Sequence, residues 1–250
     1  MENDPHPTPS SERNTFGIFS PKDNCTIPTH KLSTKTLYEI IQKLQESPSP
    51  RYRKWDSIIG PLRWNKVWAQ CYDNFSENRL CDNHWRVLHR SLPLAPSLYK
   101  CNGDVSPFCS LCSENQYETL VHILFECKSI QPLLRQTQEF ITKIKGSPFN
   151  LELKHMIINI SIIKKDFVTL LCNYLINVTR YTIWTVRNIQ KHESRSVNLQ
   201  NFARLIIKER LNVEHFIYRY LKKDLVTFAR TWAHNNVLCS LEGSNLVQLL

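Results

Sequence analysis

Phe108-Cys109-Ser110-Leu111-Cys112-Ser113-Glu114-Asn115-Gln116-Tyr117-Glu118-Thr119-Leu120-Val121-His122-Ile123-Leu124-Phe125-Glu126-Cys127 is the stretch around which the rest of the chain is organised. Cys109, Cys112, His122 and Cys127 stand with two, nine and four residues between successive members. That pattern suits a tetrahedral Zn2+ site of three thiolates and one imidazole. Two cysteines two residues apart share a tight knuckle on one ion, and the nine-residue gap lets the chain cross the metal. Leu120, Ile123 and Leu124 fall on a 3.6-residue period, which predicts a helix carrying His122 with Cys127 at its end. The competing account takes the nine cysteines as small buried apolar side chains. It fits Cys71, Cys81, Cys172 and Cys239, which lie among apolar residues with no partner at ligand spacing. Cys25 has no role, and Cys101, eight residues before Cys109, is left outside the ligand set.

Five glycines in 250 residues argue against a strand-and-turn protein and against a phosphate-cradling loop, and no Gly-x-Gly-x-x-Gly or Walker-type sequence occurs. Long 3.6-period apolar runs point instead to an all-α protein. The net charge of +10, from 32 basic and 22 acidic side chains, favours an anionic partner without identifying it. No apolar run is long enough to span a bilayer, and the N-terminus lacks the basic and apolar regions of a signal peptide. The expectation is a soluble intracellular protein of nucleus or cytoplasm, in contact with no membrane, where cysteines stay reduced and a metal site is favoured over disulfides.

Residues 1–30 carry Pro5, Pro7, Pro9, Pro21 and Pro28 among polar residues and are expected to be a disordered tail. A helical region over 31–147 contains the knuckle (108–127). Its first helix starts near Ser33 or Thr34 and places Leu37, Ile40, Ile41 and Leu44 on one face. Arg51-Tyr52-Arg53-Lys54-Trp55 is a basic and aromatic cluster that can stack on bases and pair with phosphates, or form a solvated loop with one buried tryptophan. Trp64, Val67, Trp68 and Cys71 repeat at helical spacing as core. A helix from about Asn78 to Ser91 turns Leu80, Trp85 and Leu88 inward and Arg86, His89 and Arg90 onto a basic face. After a helix over 129–145, residues 148–240 predict a long antiparallel helical hairpin, Lys165–Gln190 and Leu199–His234, the second divided near Leu211. Its basic residues, among them Arg180, Arg187, Lys191, Lys208, Arg210, Arg219 and Lys222, predict a positive outer surface. Residues 241–250 are expected as a short C-terminal tail.

Trp85-Arg86-Val87-Leu88-His89, followed by Cys109, Cys112, Glu118-Thr119, His122 and Cys127, resembles the zinc-binding region downstream of the reverse transcriptase in non-LTR (LINE-type) retrotransposon polyproteins. Ile183-Trp184-x-x-Arg187-Asn188 and Phe228-x-x-x-Trp232 are similar to the helical tail that follows the motif there. The resemblance implies a fragment or domesticated derivative that helps to hold nucleic acid. A polymerase needs paired aspartates for two divalent ions, and the eight aspartates here are all isolated from one another.

The expected function is therefore a non-enzymatic, zinc-containing module binding RNA or DNA. Arg86, His89, Arg90, Arg51, Arg53 and Lys54 are the candidate phosphate contacts. The alternative is a helical scaffold with a purely structural zinc, whose basic surface meets acidic proteins. Catalysis is disfavoured, because a catalytic zinc keeps one position open whereas four protein ligands close this one.

Overall fold

The computed structural model describes residues 17–20, 25–28, 33–34, 37, 50–69, 71–72, 75–160 and 166–250. The chain divides into two compact units, Met1–Lys54 and Trp55–Leu250. In the first, strands β1 (Gly17–Ser20) and β2 (Cys25–Pro28) pair antiparallel. The remainder of the tail expected over residues 1–30 lies outside the described residues. Leu37 N–H donates to the Ser33 carbonyl at 3.0 Å, one turn where the first helix was expected. Ile40, Ile41 and Leu44 lie outside the described residues. Helix α1 (Pro50–Ile59) begins in the first unit and ends in the second.

The second unit is mostly helical. It contains α2 (Trp64–Ala69), α3 (Asn78–Leu88), α4 (Ala95–Cys101), α5 (Gln131–Lys145), α6 (Leu153–Ile158), α7 (Phe167–Glu193), α8 (Leu199–Phe216) and α9 (Leu225–Trp232). The core forms around α7, whose 27 residues span about 40 Å at 1.5 Å per residue. Asp166 caps its start by accepting from Thr169 N–H at 2.9 Å, and Ser194 in the left-handed conformation ends it. Buried residues run all round α7, as expected of a helix with packed neighbours on several sides: α3, α5 and α8 lie against it. Asn198 caps α8 across the short connection from α7.

Helix α3 presents Leu80, Cys81, His84, Val87 and Leu88 to the core, while Trp85 is half-buried rather than fully inward. Trp55 is fully buried and donates its indole N–H to the Leu88 carbonyl at 2.9 Å, the tryptophan burial allowed for in the basic cluster. Cys71, Cys81, Cys172 and Cys239 are buried and in no disulfide, as their apolar surroundings predicted.

Three expectations are corrected. The second long helix divides at Lys222–Asp224 and not near Leu211, which is fully buried inside α8. A π-helical turn (Ile217–Leu221) leads into Lys223 at φ 52°, and Asp224 then caps α9 by accepting from Thr227 N–H at 3.0 Å. The stretch 241–250 holds most of a strand pair, β3 (Cys239–Glu242) and β4 (Asn245–Gln248), which turns at Gly243 with φ 62°. Finally, Arg180 and Arg187 lie in the interior, where neither adds to a positive surface. Among the described residues no helix is long and apolar enough to cross a membrane.

Candidate metal centre

Between α4 and α5 the chain makes a short ribbon. Phe108 and Tyr117 form an antiparallel bridge, Cys109 N–H donates to the Gln116 carbonyl at 2.8 Å, and Glu118 N–H to the Pro107 carbonyl at 3.2 Å. Asn115, at φ 50°, allows the chain to reverse. Within this loop Cys109 and Cys112 occupy the knuckle, with the backbone N–H groups of Leu111 and Cys112 directed at the Cys109 sulfur. Such donors stabilise a thiolate.

Thr119 opens the returning turn: its hydroxyl accepts from His122 N–H at 3.0 Å. The helix expected here is a π-helical turn over His122–Glu126, closed by Cys127 N–H donating to the His122 carbonyl at 2.8 Å. The ligand spacing explains the wider turn. Residues i and i+5 point about 140° apart on an α-helix, whereas an i to i+5 hydrogen-bonded turn sets them on one side. His122 and Cys127 are such a pair, and both face the knuckle. The Ser129 hydroxyl, donating to the Leu111 carbonyl at 2.6 Å, ties the start of α5 back to the loop.

The ligand atoms of Cys109, Cys112, His122 and Cys127 all lie within 4.8 Å of one another, and Cys112 Sγ is 3.5 Å from His122 Nε2. Tetrahedral zinc with Zn–S of about 2.3 Å and Zn–N of about 2.0–2.1 Å requires ligand-to-ligand edges of about 3.6–3.8 Å. The donor set fits that ion in kind and number, and the Cys112–His122 edge fits it in length. A hydrogen bond from Cys127 holds the Cys109 thiol down to about 5, and the same bond, with burial, pushes the Cys127 thiol up. Cys101, exposed at the end of α4, is outside the cluster.

Beneath the knuckle lies a buried ion pair whose partners had been singled out only as parts of separate motifs. Glu118 Oε1 accepts from Ala95 N–H at 2.6 Å and from Arg187 Nη2, and Glu118 Oε2 accepts from Arg187 Nε at 3.1 Å. Both side chains are fully buried. The guanidinium also donates to Asn188 Oδ1 at 2.8 Å and stacks over Trp184 at 4.8 Å. One carboxylate thereby joins the metal loop, the start of α4 and the C-terminal part of the core helix. The signal in the sequence was an arginine set in the apolar stripe of a long helix, which needs a buried acceptor.

Of the candidate phosphate contacts Arg86, His89 and Arg90, only Arg86 is exposed. It pairs with Asp82 at 2.8 Å. The His89 ring lies 4.4 Å from the Trp68 ring and 4.0 Å from that of Trp85. Arg90, at φ 51°, lays its guanidinium 4.8 Å over Trp55, and burial lowers its pKa. Lys54 is exposed, and the side chains of Arg51 and Arg53 lie outside the description.

Fold and site together define a mostly helical protein built against a four-ligand Cys3His centre. Residues 32–133 match the family described as zinc-binding in reverse transcriptase. No curated protein and no solved structure matches the chain. The family match and the donor geometry both support a zinc site.

Proposed function

We propose that the chain is a non-enzymatic nucleic-acid-binding module in which Cys109, Cys112, His122 and Cys127 hold one structural zinc ion, derived from the region that follows a retrotransposon reverse transcriptase. The observation that carries this reading is the four-ligand cluster itself. Four protein ligands fill a tetrahedron and leave no position for a substrate or reactive water, so the metal clamps the loop and performs no chemistry. The net charge of +10 supplies the attraction for phosphate. Arg86 is the best placed of the named contacts, since an exposed ion pair is worth under about 1 kcal/mol and a phosphate can displace Asp82. In this proposal α7 and α8 form an antiparallel hairpin, and the protein works in the nucleus or cytoplasm.

Binding to RNA and duplex DNA, measured by anisotropy from low to physiological salt, tests it. For each phosphate neutralised on duplex DNA, affinity is expected to fall by about 0.9 log units per log unit of salt. Absent or salt-insensitive binding overturns the proposal. A helical scaffold for an acidic protein is the second reading, and the exposed apolar side chains Leu205, Val213 and Phe216 on α8 favour it. Partners that survive nuclease treatment of a lysate point to the scaffold, and partners lost with the nucleic acid point to the first reading.

A further inference from the structure

The metal loop carries two aromatic rings that holding zinc does not require. Phe108 and Tyr117, partners in the antiparallel bridge, meet edge to face with ring centroids 6.2 Å apart at 88°. They are 42 % and 51 % exposed. Backbone bonds hold the ribbon on either side of them, and their mutual edge-to-face contact returns less than burying rings of this size would.

Phe108 also lines a groove of about 700 Å³ between the end of α4, the knuckle and the last turn of α7. Val105 adds an apolar surface, and Asn102 and Gln190 add amide donors and acceptors. Ser110 borders it with a buried hydroxyl that has no hydrogen-bond partner among the described residues. Lys191 contributes a cation, whose Nζ reaches the Ser106 carbonyl at 3.4 Å, and no carboxylate lines the groove. The combination is an aromatic face, neutral polar groups beside it and a positive charge at the rim. An acidic peptide satisfies the charge alone. A nucleobase with its phosphate satisfies all three, and the volume lies in the ordinary range of small-ligand pockets.

We infer that this groove takes one unpaired base of a single-stranded nucleic acid, stacked on Phe108 with Tyr117 at the ring edge and its phosphate beside Lys191. The inference rests on the nucleic-acid reading above and adds to it a strand preference and a place of contact. A base paired in a duplex has both faces stacked and cannot enter, so the groove discriminates against duplex.

The test uses the zinc-loaded full chain with labelled oligothymidine, oligouridine and a duplex of matched phosphate number, at one fixed salt concentration. Single strands are expected to bind tighter than duplex. Phe108→Ala is expected to weaken single-strand binding about 5- to 160-fold while duplex binding changes less than about twofold. Phe108→Leu keeps the apolar bulk without the π-face and should lose nearly as much; it decides the matter if the alanine variant proves short of zinc. Phe108→Trp should retain affinity. Salt-dependent binding that shows no single-strand preference, or that both the alanine and leucine variants leave intact, overturns the inference and leaves the nucleic-acid reading standing. Failure of the wild type to bind any of the three probes at low salt overturns both.

Discussion

Glu118 and Arg187 are the residues on which metal loop and helical core depend jointly. A fully buried carboxylate and guanidinium stabilise each other only while both are present; removing one leaves the other charged in a low-dielectric interior, at a cost of about 3–5 kcal/mol. Glu118→Gln and Arg187→Met are each expected to lower the stability of the zinc-loaded protein by that order in urea denaturation. The double variant should lose clearly less than the sum of the two, and additive losses would show that the pair is not coupled. His84 poses a different electrostatic problem. It is buried on α3 with Nε2 2.9 Å from the Ile157 carbonyl, and burial, aided by nearby Arg180, holds its pKa well below the usual value. The folded protein therefore keeps His84 neutral where the unfolded chain protonates it, below about pH 6.5. Its contribution is intact above that pH and is lost as pH falls below it. His84→Gln retains a donor for the carbonyl, so the variant should be less pH-dependent than wild type between about pH 6.5 and 5.5, compared at equal zinc occupancy by chemical denaturation.

At the scale of elements, the ribbon over residues 107–117 buries only Leu111 besides its cysteine ligands, whereas the returning turn that follows seats Leu120, Ile123 and Leu124 in the core of the helical body. Removing zinc by chelation should therefore melt the loop first. Amide protection is expected to drop first over residues 107–118, while the core-anchored turn after Leu120 and the far-UV helical signal of α5, α7 and α8 largely persist. The loss of stability should stay below the roughly 10 kcal/mol typical of isolated zinc fingers. Complete unfolding on chelation would mean that the helices have no stable core without the metal. The same contrast explains what could be read in advance. Ligand spacing is a local property, and Cys109, Cys112, His122 and Cys127 converge as their intervals predicted. Helices with strong apolar periods, α3, α5 and α7, were legible for the same reason. The π turn was not, because propensity and period both favour an α-helix there and only the five-residue step from His122 to Cys127 argues for a wider one. The break before α9 was missed because neither glycine nor proline marks it. Its signal was Asp224 three residues before Thr227, a capping arrangement easily lost inside a long apolar run. Pairings distant in sequence are legible from one side at most: Arg187 in the apolar stripe of α7 calls for a buried acceptor, and nothing local names Glu118 as that acceptor.

For the whole molecule, the segment that matches the zinc-binding family and the body that folds are different stretches of chain. The match ends at residue 133, yet the carboxylate beneath the knuckle is answered from α7, and α3 lays its apolar face on α7 as well. A fragment of residues 32–133 retains all four ligands but exposes Leu80, Val87 and Leu88 and strands Glu118 without its guanidinium. It should bind zinc and still show no cooperative melting transition, with amide resonances crowded as in an unfolded chain. A fragment of residues 50–250 keeps Trp55, the centre and the surrounding helices. It is expected to take up one zinc and to melt in a single transition within a few degrees of the full chain. If instead the shorter fragment melts cooperatively near the temperature of the full chain, α7 and the helices after it are attached to a self-sufficient metal domain and do not complete it. The stability lost in Arg187→Met separates the cases independently. A large loss in the full chain that also releases zinc binds the two halves into one folding unit; a loss that leaves zinc affinity untouched confines the arginine's role to the helical body.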